Sequence, residues 1–248
     1  MSEQMPQQMQ NDEPESLNFF STLQAIATKR ELNPYAKGEP IIYEFTEDPG
    51  LLHQYYRLRE DRYNQTLKSE GYNWGEDFHD KLSYILIARR GRLCLGGCRL
   101  TIREPDETWL LPVENSEFNL RNTFPDLELN SIRHAELSRF VIMEDNGSED
   151  NIFDGLCKAM YNKVVTSDIR YLFAVSSYLL ARNWRAVSNS FGVKTTKIVE
   201  NIHPVERALG DEVKWHLILS DLTNFCNNNL LTHNLAKVFY NENSEIMN

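Results

Sequence analysis

The sequence has few cysteines and no long apolar segment, and each shortage excludes a class of protein. Four cysteines among 248 residues are too few for a disulfide-stapled secreted scaffold. They include no Cys-x-x-Cys pair, so we expect no metal site. No apolar run approaches the ~20 residues that cross a bilayer, so we expect no integral membrane segment. The opening residues lack the basic and apolar regions of a signal peptide, and buried reduced thiols then predict a cytoplasmic protein.

Basic residues are also scarce, with 26 Lys and Arg against 36 Asp and Glu and a net charge of −10. Nucleic-acid binding draws its affinity from neutralised phosphates, so we expect no nucleic-acid partner. Hydrophobic residues at 41% and charged residues at 25% are ordinary for a globular chain. Residues 1–15 are rich in Gln, Glu and Pro and are predicted to be a disordered tail. We expect a single domain over residues 16–248, with extra helices at both ends.

Apolar periodicity alternates between helix and strand spacing along the chain, which predicts a mixed sheet with helices packed on it. Residues 69–81 and 104–133 lack a period and are predicted to be loops. Gly96-Gly97 lies inside a strand pattern and indicates a bulge or a close approach of the backbone. Helices are predicted at 16–30, 48–68, 151–166, 178–190 and 222–239, and strands at 41–45, 82–88, 93–102, 135–143, 171–175, 193–199 and 213–219, with a hairpin turn at 89–92.

One predicted strand carries two full charges beside the apolar run 140–142. On a regular strand Glu136 and Ser138 point to one face, whereas Leu137 and Arg139 point to the other. A buried charge needs a partner, because its desolvation is costly. The segment is therefore either a structural ion pair or part of a functional site, since perturbed charges occur in both.

A second group of charges lies in the loop that follows the long helix. Asp77 and Asp80 share this loop with Trp74, and carboxylates beside an indole face suit a cationic group. The alternative is a solvated acidic loop. Arg59 and Arg99 either extend their charged ends to water or form a fork for a carboxylate.

In chain order, these pieces resemble the acyl-homoserine-lactone synthases of bacterial quorum sensing and the related N-acyl amino acid synthases. The family pattern is an L-R-x-x-x-F helix, a Trp with an E-x-D-x-x-D loop, and a strand that ends in Arg-Leu or Arg-Phe. An L-x-x-x-F-P segment and E-[hydrophobic]-[S/T]-R-F follow. The resemblance covers roughly residues 50 to 145. The matching positions are Leu58, Arg59, Tyr63, Trp74, Asp77, Asp80, Arg99, Leu100, Leu120, Phe124, Pro125 and 136–140.

The resemblance implies a GNAT-like α/β fold, with a mixed, mostly antiparallel central sheet and helices on both faces. It implies transfer of a fatty acyl group from the phosphopantetheine of acyl carrier protein to the amine of S-adenosylmethionine, with no permanently bound cofactor. A free amino acid as acceptor, or a non-catalytic acyl-binding module, is the alternative. The implied catalytic residues are Glu136, Asp77 and Asp80, and the implied substrate-binding residues are Arg59, Tyr63, Trp74, Arg99, Phe124, Ser138 and Arg139.

The sequence departs from the family pattern at several positions. Gly75 stands where the loop has its first acid, and Tyr63 replaces the usual Phe. Residues 144–150 lack the glycine-rich phosphate cradle of coenzyme-A-dependent GNAT enzymes, which favours a carrier-bound donor. By family resemblance the carrier is acidic, so docking on this acidic chain requires a local basic face. The candidates are one cluster of Arg89, Arg90 and Arg92 and another of Arg182, Arg185, Lys194 and Lys197.

Overall fold

The structure is a computed structural model that describes residues 39–67, 73–115, 117–143, 151–200 and 215–226. Its centre is a seven-stranded sheet with the strand order β1-β2-β3-β4-β5-β7-β6. Within the described ranges β4 and β5 run parallel, and the other neighbouring strands run antiparallel. The strands are β1 (Ile42–Phe45), β2 (Tyr84–Arg90), β3 (Leu93–Arg103), β4 (His134–Ile142), β5 (Tyr171–Ser177), β6 (Lys194–Glu200) and β7 (Trp215–Asp221).

The two longest of the described helices begin beside a capping side chain. The Asp48 carboxylate accepts a hydrogen bond from the Leu51 backbone at 2.9 Å, just before the first long helix. Asn151 caps the second long helix through the Asp154 backbone N–H at 3.1 Å. The helices are α1 (Pro49–Leu67), α2 (Leu120–Thr123), α3 (Ile152–Thr166), α4 (Tyr178–Ser190) and α5 (Thr223–Cys226), with 3₁₀ turns at His79–Leu82 and Pro125–Leu127.

Helices cover both faces of the sheet. On one face α1 packs through Tyr55 on Ile87 and Val141, and the segment after β3 covers the other half of that face. On the opposite face α3 and α4 bury Leu156 and Trp184 against the sheet. This arrangement confirms the predicted fold class, a mixed and mostly antiparallel sheet between helices. None of the helices in the described ranges has the length and apolar character needed to cross a membrane.

Most predicted elements within the described residues agree with the structure to within two residues. The hairpin turn is shorter than predicted, because Arg89 and Arg90 belong to β2 and Arg89 forms an ion pair with Glu44 of β1 at 2.7 Å. The loop at 104–133 contains α2, which Asn119 caps through the Asn122 N–H. The predicted tail at 1–15, the helix at 16–30, the segment 144–150 and most of the helix at 222–239 lie outside the described residues.

A β-bulge in β4 overturns the predicted alternation of its side chains. Gly97 is opposite Val141, whereas Arg99 is opposite Ser138, so β4 holds one more residue than β3 in this interval. Arg139 has a φ of 56°, in the left-handed region. The extra residue turns the Arg139 side chain to the face of Ser138, so the prediction that it shares the face of Leu137 is wrong. Both arginines can therefore reach the same acid.

Gly97 is required by the close packing beside this bulge. A Cβ at this position would lie 2.5 Å from the Leu86 carbonyl oxygen and 2.9 Å from the Tyr55 ring. We expect Gly97→Ala to lower the free energy of unfolding by about 1–3 kcal/mol in urea denaturation, because neither neighbour can move freely. Gly50→Ala is the control, since its Cβ would meet no backbone atom and only one side-chain atom, Asp48 Oδ1 at 3.1 Å. Equal stabilities of the two variants would contradict this account of Gly97.

Candidate active site

The central strands β4 and β5 diverge and open a cavity in the sheet. Their pairing runs from His134 opposite Tyr171 to Leu137 opposite Ala174. Both strands continue beyond this register, β4 to Ile142 and β5 to Ser177. A cavity of about 460 Å³ lies between these diverging ends.

Side chains from both faces of the sheet line this cavity. On the α1 face the wall carries the charged side chains of Glu136, Arg99 and Arg139. On the α3 and α4 face it is apolar and includes Phe153 and Trp184. The cavity therefore joins a charged compartment to an apolar one through the gap in the sheet, an arrangement that suits an amphipathic ligand.

Glu136 lines the cavity and lies on β4 one residue before the pairing with β5 ends. It is 3% exposed, and its carboxylate accepts a hydrogen bond from the Val113 backbone N–H at 2.7 Å. Burial raises the pKa of the Glu136 carboxyl to about 7, although the nearby charge of Arg99 opposes that rise. Near neutral pH this group can therefore exchange a proton, as a general base must.

Arg59 and Asp80 form a buried ion pair behind the cavity wall. The Arg59 guanidinium donates to both Asp80 oxygens, at 3.0 and 2.6 Å, and both side chains are fully buried. It also donates to the backbone carbonyls of Trp74, at 2.6 Å, and Gly75. These hydrogen bonds fix the backbone at Trp74 and Gly75, and with it the position of the Trp74 ring.

Asp77 joins the two arginines that reach the cavity. Arg99 donates to its carboxylate at 2.7 and 2.8 Å, and Arg139 donates at 3.1 Å. Burial raises the pKa of the Asp77 carboxyl, but the two positive charges outweigh burial and lower that pKa to about 2. Asp77 and Asp80 also accept each other's backbone N–H, at 3.0 and 2.8 Å. Asp77 and Asp80 thus hold Arg59, Arg99 and Arg139 in fixed orientations, and we call these two carboxylates with their three arginine partners the acidic box.

The sequence-predicted site residues fall into two groups. The first group lines the cavity. The second group does not line it: three of its residues contact the lining residues from behind, and Phe124 packs in a different cluster. Phe124 packs beside the buried cluster that contains Leu120 and Phe173, and it is absent from the described cavity wall. The cavity wall includes Tyr63, Trp74, Arg99, Glu136, Ser138 and Arg139, whereas Arg59, Asp77 and Asp80 stand behind it. The functional roles assigned from sequence remain predictions.

Several contacts in the site have no signal in the sequence. The Tyr55 hydroxyl donates to the Arg139 carbonyl at 2.7 Å and secures the bulge. The Tyr63 hydroxyl donates to the Phe140 carbonyl at 3.2 Å, and its ring meets the Trp74 ring edge-on at 5.1 Å. The apolar spacing of residues 151–166 predicts Phe153 on the buried face of α3, but no sequence pattern connects Phe153 with the cavity.

The described part of the chain offers no cluster of three His, Cys, Asp or Glu side chains placed to bind a metal ion. Three cysteines, Cys94, Cys98 and Cys157, are free and buried. Burial raises the pKa of each thiol, so none is primed as a nucleophile. The ionisable chemistry of the cavity therefore rests with its carboxylate and guanidinium groups.

Comparison with known proteins gives similarity at the level of structure. No protein-family model matches the sequence, and no curated protein matches it either. The AHL synthase LasI superposes with a TM-score of 0.51 at 18% identity, over 75% of this chain and 91% of LasI. FeeM, an N-acyl amino acid synthase from uncultured soil microbes, superposes with a TM-score of 0.55 at 11% identity, over 79% of this chain and 97% of FeeM. The chain therefore shares the fold of these two synthases, as the resemblance in its motifs implies.

Proposed function

We propose that the protein is an N-acyltransferase that moves a fatty acyl group from a phosphopantetheine thioester to the amine of a small molecule. The observation that carries this proposal is the cavity that crosses the sheet, charged on one face and apolar on the other. An acyl chain suits the apolar compartment, and an ammonium or amino-acid group suits the charged one. Glu136 lies where the two substrates would meet.

The apolar compartment would hold the acyl chain. Phe140 and Phe153 pack with their ring centroids 5.1 Å apart on one side. Trp184 closes the compartment from α4, and its indole N–H already donates to the Ser220 hydroxyl at 3.1 Å. Since this wall offers mainly apolar surface, burial of methylene groups would favour a fatty chain over a short polar acyl group.

Glu136 would act as the general base. The Glu136 carboxylate takes a proton from the amine, and the amine nitrogen bonds to the thioester carbonyl carbon. The carbon–sulfur bond then breaks, and the leaving thiolate receives that proton from the Glu136 carboxyl. Backbone N–H groups on the part of β4 that diverges from β5 would stabilise the oxyanion. A carboxyl whose pKa is about 7 is suited to this role at neutral pH.

The arginines of the acidic box would bind the carboxylate of the acceptor. Arg99 and Arg139 both line the cavity and are held by Asp77 from behind. Guanidinium groups fixed in this way form strong, oriented hydrogen bonds to a carboxylate. Asp77 and Asp80, predicted from sequence to be catalytic, would then act by positioning these arginines and the Trp74 ring.

The basic residues of α4 and β6 support acyl carrier protein as the donor. Arg182 and Arg185 are exposed on α4, the helix whose Leu180 and Asn183 line the cavity. In the other candidate cluster, which consists of Arg89, Arg90 and Arg92, the Arg89 guanidinium already pairs with the Glu44 carboxylate at 2.7 Å, so its charge is less available to a partner. A basic face on α4 would attract an acidic carrier despite the acidic charge of the whole chain.

Product identity tests the proposal. The purified protein is incubated with the same acyl group on carrier protein, pantetheine or coenzyme A, and with S-adenosylmethionine or a panel of amino acids as acceptor. We expect a product whose mass is that of an acyl-homoserine lactone or an N-acyl amino acid, formed most efficiently from the carrier-linked donor. S-Adenosylmethionine as acceptor would assign acyl-homoserine lactone synthesis. Absence of every N-acyl product, with thioester binding retained, would instead support a non-catalytic acyl-binding module.

A further inference from the structure

Arg139 reaches the charged compartment because of the bulge in β4. The preceding residue, Ser138, already points to the α1 face, where its hydroxyl accepts a hydrogen bond from Arg99 Nε at 3.1 Å. In a regular strand the next side chain would point to the opposite, apolar face. Instead Arg139 has a φ of 56°, and its guanidinium donates to Asp77 at 3.1 Å on the face of Ser138. The carboxylate-binding role proposed for Arg139 therefore depends on one backbone conformation.

That conformation is unfavourable for an arginine, so other contacts have to hold it. Residues with a Cβ rarely adopt a positive φ, and they persist there where the surrounding structure fixes them. The far end of the Arg139 side chain is held by Asp77 and by the Trp74 ring, whose centroid lies 5.1 Å from the guanidinium carbon. Because the arginine side chain is long and flexible, these contacts do not fix its peptide group. The backbone of the bulge needs a contact of its own.

Tyr55 of α1 supplies that backbone contact. Its side chain is fully buried, and its hydroxyl donates to the Arg139 carbonyl at 2.7 Å. Its ring packs against Gly97, the residue of β3 at which the pairing with β4 shifts in register. Burial raises the pKa of the Tyr55 hydroxyl, so the hydroxyl keeps the proton that it donates. Tyr55 therefore connects α1 with both strands of the bulge from inside the core.

We infer that Tyr55 is a positioning residue for the acceptor, and that its hydrogen bond to the Arg139 carbonyl gives the site a preference for an amine that carries a carboxylate. This inference rests on the proposed function and deepens it. Without the hydroxyl, the buried carbonyl loses this donor, the bulge is held less firmly, and the guanidinium is no longer fixed in the charged compartment. Arg99 would keep its contacts with Asp77 and Ser138, so one guanidinium of the pair would remain oriented.

Equilibrium binding of matched acceptor probes tests the inference without requiring turnover. Wild-type protein and Tyr55→Phe are titrated calorimetrically with S-adenosylmethionine, leucine and tyrosine, and with the amine that each of these gives on decarboxylation. The substitution keeps an aromatic ring against Gly97 and removes only the hydroxyl. We expect the Kd of the preferred carboxylate-bearing probe to rise about tenfold in the variant, the usual loss for one hydrogen bond to a charged group. The Kd of its amine partner should not change, which also shows that the variant is folded.

Two further variants separate this role from a general loosening of the core. Tyr56→Phe is the matched control, because this neighbouring tyrosine also lies beside the Arg59 guanidinium, at 5.1 Å, and does not belong to the described cavity wall. It should leave every Kd at the wild-type level. Arg139→Gln removes the guanidinium, so adding Tyr55→Phe to it should cause no further loss of carboxylate preference.

The inference fails if the wild-type protein prefers no carboxylate-bearing probe to its amine partner, or if Tyr55→Phe keeps the wild-type preference. An equal rise in Kd for both members of a pair, or a further loss of preference in the double variant, would also overturn it. Carboxylate-selective binding that depends on Tyr55, without any N-acyl product, would leave this inference standing and defeat only the proposed reaction.

Discussion

Replacement of Glu136 by glutamine is expected to lower kcat for N-acyl transfer by about 10²–10⁴-fold, the usual contribution of a positioned general base. Glutamine keeps an oxygen that can accept the Val113 N–H, so the loss reflects proton transfer rather than the local fold. In the wild-type protein, kcat/KM should rise with pH through about 7 as the Glu136 carboxyl ionises. The variant should lack this component of the pH profile.

Stability measurements on the same variant separate catalysis from folding. The pKa of Glu136 is raised by burial, so between pH 4.5 and about 7 the folded state binds more protons than the unfolded state. Its contribution to stability therefore falls as pH rises through that window. Glutamine does not titrate, so the variant should gain stability relative to wild type over the same range in urea denaturation. Glu117→Gln, at an exposed position, is the control and should leave rate and stability unchanged. Near wild-type kcat in Glu136→Gln would remove Glu136 from the mechanism.

Breaking the buried ion pair of the acidic box is expected to have the largest effect on stability. Asp80→Asn leaves the Arg59 guanidinium buried without a countercharge, since both side chains are 0% exposed. Removal of one partner of such a pair typically lowers the free energy of unfolding by about 3–5 kcal/mol. Urea denaturation at pH 7 measures the loss.

The surface pair between Arg89 and Glu44 is a matched control. These side chains are 24% and 34% exposed, and they meet at 2.7 Å. Exposed pairs contribute less than about 1 kcal/mol, so Glu44→Gln should change the stability little. If Asp80→Asn were no more destabilising than Glu44→Gln, the acidic box would not be the support of the site that its contacts indicate.

Apolar periodicity and the order of short motifs predict much of this structure. The spacing of apolar residues located α1, α3, α4 and the strands, because those elements bury one face or both against a single core. The family resemblance, rather than apolar spacing, brought Trp74, Arg99, Ser138 and Glu136 into one candidate site, and all four line the cavity.

The remaining features depend on contacts between distant segments. The bulge at Arg139 follows from the packing of β3, β4 and Tyr55, and strict alternation predicts the opposite face for its side chain. Asp77 and Asp80 pair with arginines that come from α1, β3 and β4, and no spacing within the loop reveals these partners. Trp215 and Glu136 line the same cavity although nearly eighty positions separate them in the sequence. Only the pairing of the strands in the sheet brings them together.

Thiol release from an acyl thioester, measured with and without amine, tests the central claim most directly. The claim is that the gap between β4 and β5 brings a thioester and an amine together at Glu136. We predict release that requires the amine, equals the amide formed, and is lost in Glu136→Gln. Release at the same rate without any amine, or no release from any donor with any amine tested, would contradict the claim.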